Sequence, residues 1–228
     1  MNEVIPILFQ NSDFIVVNKP AGVNFHSEEL PGLVVLVQQQ LNLKEIYPVH
    51  RLDKMTSGLL ILALNKVTAQ AFQKMFEQHQ VEKFYIAISD QKPKKKQGWI
   101  KGDMQPARRG SWKLTNTHEN PAITQFISVS IQPNERLFLL KPKTGKTHQL
   151  RVAMKSLSAA ICGDERYSDS HKAKLEQRGY LHAYAMRFKL KAESFEFVCK
   201  PDSGERFTQK VCLDLLENWQ QPWQLILK

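Results

Sequence analysis

Between His50 and Gly58 the chain reads HRLDKMTSG, its densest run of groups able to do chemistry. An imidazole (His50), a guanidinium (Arg51), a carboxylate (Asp53) and two hydroxyls (Thr56, Ser57) lie close together in this stretch. A carboxylate in such a setting can attack covalently or stabilise developing positive charge. A Ser/His/Asp triad can be drawn from Ser57, His50 and Asp53. Their tight clustering and the missing nucleophile-elbow glycines argue against it. Thr56-Ser57-Gly58 reads instead as turn chemistry that presents Asp53. A lone aspartate after Arg and Leu is ordinarily a turn or salt-bridge residue, so the surrounding string is what singles this one out.

The cysteines Cys162, Cys199 and Cys212 are odd in number and widely spaced, with no CxxC pair. That pattern gives no zinc site, and no metal is expected. Buried thiols in a reducing cytoplasm are the simpler reading. The N-terminus lacks a basic segment followed by a long apolar one, so no signal peptide is expected. The longest apolar run, Gly58 to Leu64, is strand length, far short of the roughly 20 residues that span a bilayer. A membrane partner is therefore not expected.

Charge points elsewhere. The chain of 228 residues carries 32 Lys and Arg against 22 Asp and Glu, a formal net charge of +10. A positive field of this kind attracts phosphates, and binding releases their counterions. Lys83 to Lys113 holds nine basic residues, including Lys94, Lys95, Lys96, Arg108 and Arg109, against only Asp90 and Asp103. Trp99 and Trp112 lie among them. Basic groups interleaved with aromatics suit RNA, which offers phosphates to pair and unstacked bases to cover. A charge run is often only a solvated face. Here a second cluster, Lys141, Lys143, Lys146, Arg151 and Lys155, has no acid within it. No helix-turn-helix, zinc or zipper signature supports a DNA partner.

The elements that must position these groups are legible in outline. Phe14 to Asn18, Gly58 to Leu64, Phe84 to Ser89, Ala122 to Ile131, Arg136 to Leu140, Leu181 to Leu190 and Phe195 to Cys199 read as strands. Gln132-Pro133-Asn134-Glu135 carries turn chemistry between two of them. Val67 to Gln80 places Ala71, Phe72, Met75, Phe76 and His79 on one helical face. Thr147 to Leu157 and Phe207 to Trp219 also read as helices. Leu33 to Leu41 fits a short helix or a strand, and Gln91 to Gln97 is a loop by composition. Strands and helices are interspersed without strict alternation. The expectation is an α+β fold with a mixed, largely antiparallel central sheet and flanking helices. One domain over 1–228 is expected, with its core at about 7–212 and a C-terminal extension at 213–228.

The HRLD string, two variable residues and TSG together resemble the catalytic motif of the RluA family of RNA pseudouridine synthases. Further segments resemble family landmarks in order: Lys19-Pro20-Ala21-Gly22, Lys83-Phe84-Tyr85-Ile86-Ala87, Gly145 to Val152 (GKTHQLRV), Gly163-Asp164 with Tyr167, and Leu181-His182-Ala183. The resemblance spans roughly residues 7 to 212. It implies isomerisation of uridine in structured ribosomal or transfer RNA: the N1–C1′ bond breaks, the uracil turns, and C5 bonds to C1′. Neither metal nor cofactor is needed.

The resemblance also implies site residues. Asp53 is the carboxylate, Arg151 its partner, and Tyr85 lies against the uracil. An arginine favours the charged form of a carboxylate and orients it through paired hydrogen bonds. The target base must be flipped out of its stack, and Arg51 braces the space left behind. Lys19, Lys146 and His148 are expected as phosphate or site-wall contacts, and His50 and His182 as structural histidines. Lys146 stands where the family usually has arginine, and Ala153-Met154 and Ala159-Ala160 also depart from its pattern. These changes leave the RNA target open. With only about a dozen residues before Phe14, RNA selection is expected from Gln91 to Lys113, by a protein acting as a monomer. The alternative is a catalytically idle RNA-binding or RNA-chaperone protein on the same fold. The intact Asp53, Tyr85 and Arg151 set argues against it.

Overall fold

Two apolar runs, Phe14-Ile15-Val16-Val17 and Leu59-Leu60-Ile61-Leu62, have no polar face to turn toward water. Runs of this kind require cover on both sides. In the computed structural model, which describes residues 4–28 and 30–225, all eight are fully buried. They form adjacent antiparallel strands, Phe14–Lys19 and Ser57–Ala63. The short strand Ile7–Gln10 pairs with the first of these, and Tyr47–Pro48 with the second.

These strands belong to one of two compact units, formed by the chain up to Glu82 together with His182–Cys199. The later segment enters the same sheet. His182 and Ala183 pair in parallel with Ser57 and Gly58, and Leu181–Leu190 turns back antiparallel onto Glu193–Val198. The helix Lys66–Glu77 is capped by Asn65, whose side chain accepts from the Thr68 N–H, and it buries Thr68, Phe72 and Met75. A capping side chain satisfies one of the amide groups that a helix start leaves without a partner. Phe72 meets Phe14 edge-on at 5.5 Å, and Phe14 meets Phe195 edge-on at 5.1 Å. Each such ring pair adds about 0.5–1.5 kcal/mol to area burial.

The second unit comprises Lys83–Leu181 and the chain from Lys200 onward. Its strands Glu82–Ser89, Glu135–Pro142, Ala122–Gln132 and Gln97–Gly102 pair antiparallel in that spatial order. Asn134, at φ 59°, supplies the left-handed residue for the turn at Gln132–Glu135. A separate two-stranded hairpin, Met104–Pro106 with Trp112–Leu114, carries Arg108–Gly110 at its tip. Helix Gln149–Ser156 packs against the Ala122–Gln132 and Glu135–Pro142 strands and the Trp112–Leu114 strand.

The expected α+β architecture with a largely antiparallel sheet is observed. Leu33–Gln40 resolves as helix. The closing helix is interrupted: Glu205–Thr208 and Lys210–Glu217 are separated by Gln209, whose backbone (φ −58°, ψ 138°) is extended. Among the described residues no helix is long and apolar enough to cross a membrane.

Candidate active site

Asp53 sits half-buried in the first unit, in the loop between Tyr47–Pro48 and Ser57–Ala63. Its backbone carbonyl accepts from the Thr56 N–H at 3.0 Å, closing a tight turn. That turn is fastened from beneath. Lys19 is fully buried, and its Nζ donates to the carbonyls of Pro20 (2.9 Å), Lys54 (3.2 Å) and Thr56 (2.8 Å). The Gly22 N–H reaches the same Lys54 carbonyl at 2.8 Å. A left-handed φ of 89° at Gly22 makes that approach possible. The sheet register explains the meeting, because Lys19 lies opposite Gly58. The early Lys-Pro-Ala-Gly turn and the Asp53 loop thus share one end of the sheet.

Of the two roles expected of Lys19, a phosphate contact or part of the site wall, this burial fits the second. A fully buried ammonium has no surface to present to a phosphate, and its hydrogens are directed at protein carbonyls. Lys19 positions the Asp53 loop.

Gly58 is required for a different reason. Its φ is +105°, and an added Cβ would lie 2.3 Å from the Ala183 carbonyl oxygen. Next to it, Ser57 Oγ lies 2.6 Å from His182 Nδ1, and His182 Nε2 lies 2.8 Å from the Cys199 carbonyl. A carbonyl oxygen only accepts, so Nε2 carries the hydrogen and Nδ1 accepts from the Ser57 hydroxyl. His50 Nε2 accepts from the Ile61 N–H at 2.9 Å, and its ring packs on Phe76. Ser57 and His50 therefore face different partners, and no Ser/His/Asp triad forms. Arg51 is exposed beside the turn.

Tyr85 and Arg151 lie in the second unit. On the strand Glu82–Ser89 the fully buried Phe84, Ile86 and Ile88 alternate with Lys83, Tyr85 and Ala87. Lys83 and the half-buried Tyr85 thus share a face. Burial pushes the Lys83 ammonium below its ordinary pKa.

Arg151 is buried on helix Gln149–Ser156. Its Nε and Nη2 donate to Asp164 Oδ2 and Oδ1, both at 2.8 Å. Asp164, fully buried, also accepts at Oδ1 from the N–H groups of Arg166 (3.0 Å) and Tyr167 (3.2 Å). The Tyr167 ring lies under the guanidinium at 5.0 Å, and burial raises the pKa of its hydroxyl. That hydroxyl accepts from the Trp112 N–H at 2.9 Å and lies 2.9 Å from His148 Nδ1.

The start of the helix is held by Gln149. Its Oε1 accepts from Thr144 Oγ1 (2.7 Å) and the Lys146 N–H (3.0 Å). Its Nε2 donates to the Ile123 carbonyl (3.1 Å) and Thr124 Oγ1 (3.0 Å). Lys146 is half-exposed, with its ammonium on the Asn120 carbonyl. Arg166 Nη1 donates to the Arg109 carbonyl at 2.9 Å, tying the exposed hairpin tip to this network. Arg151, His148, Arg108 and Arg109 are therefore gathered within the second unit. Lys94, Lys95 and Lys96 are exposed at the other end of the helix, where the Lys94 N–H meets the Leu157 carbonyl at 2.9 Å.

Sequence reasoning assigned no role to Asp164 or Gln149. Gly163-Asp164 and Tyr167 stood out as landmarks, but nothing local to them shows that the carboxylate serves an arginine 13 residues away. Among the described residues no group of three or more His, Cys, Asp or Glu side chains is placed to hold a metal ion.

The family profile that matches this chain defines an RNA-modifying isomerase. The chain belongs to the RNA pseudouridylate synthase family, whose profile matches residues 13–156. An uncharacterised RNA pseudouridine synthase of Haemophilus influenzae is 52% identical over 202 residues, covering 88% of this chain and 89% of that one. A tRNA pseudouridine synthase C of Haemophilus ducreyi is 31% identical over 97% of this chain and 94% of its own. A ribosomal large subunit pseudouridine synthase C of Rickettsia bellii is 34% identical over 78% of this chain and 61% of its own. Among solved structures, human RNA pseudouridylate synthase domain containing 1 superposes with a TM-score of 0.77 at 26% identity, covering 97% of this chain and 96% of that chain.

Proposed function

We propose that this enzyme converts specific uridines of structured ribosomal or transfer RNA to pseudouridine, with Asp53 as its catalytic carboxylate. The observation that carries this reading is the way the Asp53 turn is held. A fully buried lysine and a left-handed glycine fasten it through the Lys54 and Thr56 carbonyls. A solvated surface turn has no need of such anchoring, whereas a reacting group must be preorganised.

Asp53 assists cleavage of the N1–C1′ bond. The uracil then turns, C5 bonds to C1′, and the proton lost from C5 is matched by one gained at N1. Tyr85 lies against the uracil ring, where an aromatic face stacks and excludes water. Arg151 acts with Asp53, and its guanidinium is held in place by Asp164 and Tyr167. Arg51 braces the space left by the flipped base. Lys146, His148, Lys94, Lys95, Lys96, Arg108 and Arg109 contact the RNA backbone. The relatives named for tRNA and for the large ribosomal subunit support the two substrate classes. The protein works on RNA and not DNA, as a monomer in the cytoplasm. Its three buried cysteine thiols favour a reducing compartment.

The test is pseudouridine mapping on total RNA from cells lacking the gene, rescued with wild type or Asp53→Asn. One discrete site restored only by wild type is expected. Restoration by Asp53→Asn at near wild-type level would sink the assignment of Asp53.

A further inference from the structure

The segment Gln91 to Gly102 contains five lysines and no acid. Its backbone is built into the second unit. The Lys94 N–H donates to the Leu157 carbonyl at 2.9 Å. The Lys96 carbonyl accepts from Ser128 Oγ at 2.7 Å, and Arg136 in turn donates to Ser128 Oγ (3.3 Å) and to its carbonyl (2.9 Å). Charges on a pinned loop are preorganised, which lowers the entropy cost of binding. Lys155, exposed in the last turn of the helix ending at this point, adds to them.

The loop leads into the strand Gln97–Gly102, which pairs with Ala122–Gln132. Along it Gln97, Trp99 and Lys101 are exposed, while Ile100 and Gly102 are buried. Trp99 is 43% exposed, unusual for a side chain that is mostly buried on average. Lys101 Nζ stands 5.2 Å from the centre of its ring. Val129, on the neighbouring strand, is also exposed.

We propose that Trp99, Lys101 and the Lys94–Lys96 loop form an accessory RNA site, a stacking platform for an unpaired base of the substrate RNA. It is separate from the residues assigned to catalysis. An exposed indole flanked by ammonium groups matches a base flanked by phosphates, and stacking tolerates any base because each has a π face. Lysines along a sheet edge disfavour the addition of a protein strand, so charge complementarity selects RNA over a peptide. This inference rests on the reading of the chain as an RNA-modifying enzyme.

The test measures anisotropy of a fluorescein-labelled oligouridylate with wild type, Trp99→Ala and Trp99→Phe. The expected result is about tenfold weaker binding for Trp99→Ala and a loss within about threefold for Trp99→Phe, which can still stack. Lys94, Lys95 and Lys96 changed together to Gln should lower the slope of log affinity against log salt by about two. Wild-type affinity in Trp99→Ala overturns the proposal, as does an equal loss in the Ala and Phe variants. Because the readout is affinity, failure here is distinct from failure of the Asp53 assignment, which would appear as turnover retained in Asp53→Asn.

Discussion

Arg151 and Asp164 form a buried two-point ion pair, with Nε on Oδ2 and Nη2 on Oδ1, both at 2.8 Å. The pair orients an arginine on a helix by means of an aspartate on a loop. Two backbone N–H groups hold that aspartate in turn.

Asp164→Ala should therefore do more than remove a charge. It leaves a buried guanidinium without its fork partner, at a cost of roughly 3–5 kcal/mol. Arg151→Lys keeps the charge but loses the planar fork, so it should fold better than Asp164→Ala while losing most turnover. Denaturant melts and single-turnover rates on a substrate transcript check both. Near wild-type stability in Asp164→Ala would show that the pair contributes little.

Lys19→Met should lower turnover far more than RNA affinity, because Lys19 holds the Asp53 turn. Each charge-assisted hydrogen bond lost is worth about 1.5–3 kcal/mol, so stability should fall as well. Salt-dependent binding supplies the check. An unchanged slope fits a positioning role, whereas a slope reduced by about one fits a phosphate contact.

Gly58→Ala and Gly98→Ala form a matched pair. Both glycines have positive φ, at +105° and +138°. An added Cβ meets the Ala183 carbonyl at 2.3 Å in the first and nothing within 4 Å in the second. Gly98→Ala should bear only backbone strain, about 1–2 kcal/mol. Gly58→Ala should add an overpacking term of about 1–3 kcal/mol and displace the Asp53 loop's exit strand, abolishing turnover. Equal effects in the two melts would contradict the close approach to Ala183.

Burial pushes the thiols of Cys162 and Cys212 up to about 12. A folded-state pKa above the unfolded value of 9.0 means the native protein holds these protons longer. The stabilisation is fully present below pH 9 and is lost as pH rises toward 12. Denaturant midpoints should fall across that window, less steeply for Cys162→Ala. Iodoacetamide at pH 8.5 should label native protein slowly and urea-unfolded protein fast. Rapid native labelling would place at least one thiol at the surface.

Much of the fold is local enough to be read from spacing. The helix expected at Val67 to Gln80 is observed as Lys66–Glu77, because Phe72 and Met75 mark its buried stripe and Asn65 its cap. The strands expected at Ala122 to Ile131 and Arg136 to Leu140 fall within Ala122–Gln132 and Glu135–Pro142. The edge strand Gln97–Gly102 and the Met104–Leu114 hairpin escaped that reading. Both are short, polar and half-exposed, so they carry no apolar period. Gln209 escaped because its extended backbone interrupts an otherwise continuous helical pattern.

The sequence by itself singled out the candidate reacting groups. Asp53, Tyr85 and Arg151 each stand in a short string whose residue types are legible without a fold. It also pointed to a polyanionic partner, since net charge is a sum that folding does not change. Only the tertiary structure decided which neighbours hold those groups. Lys19 reaches the Thr56 carbonyl across 37 positions, and Ser57 meets His182 across 125. Such pairings depend on which strands lie side by side. That is set by burial of the apolar runs at Phe14–Val17 and Leu59–Leu62 together with the strand that follows Leu181, and no local pattern encodes it.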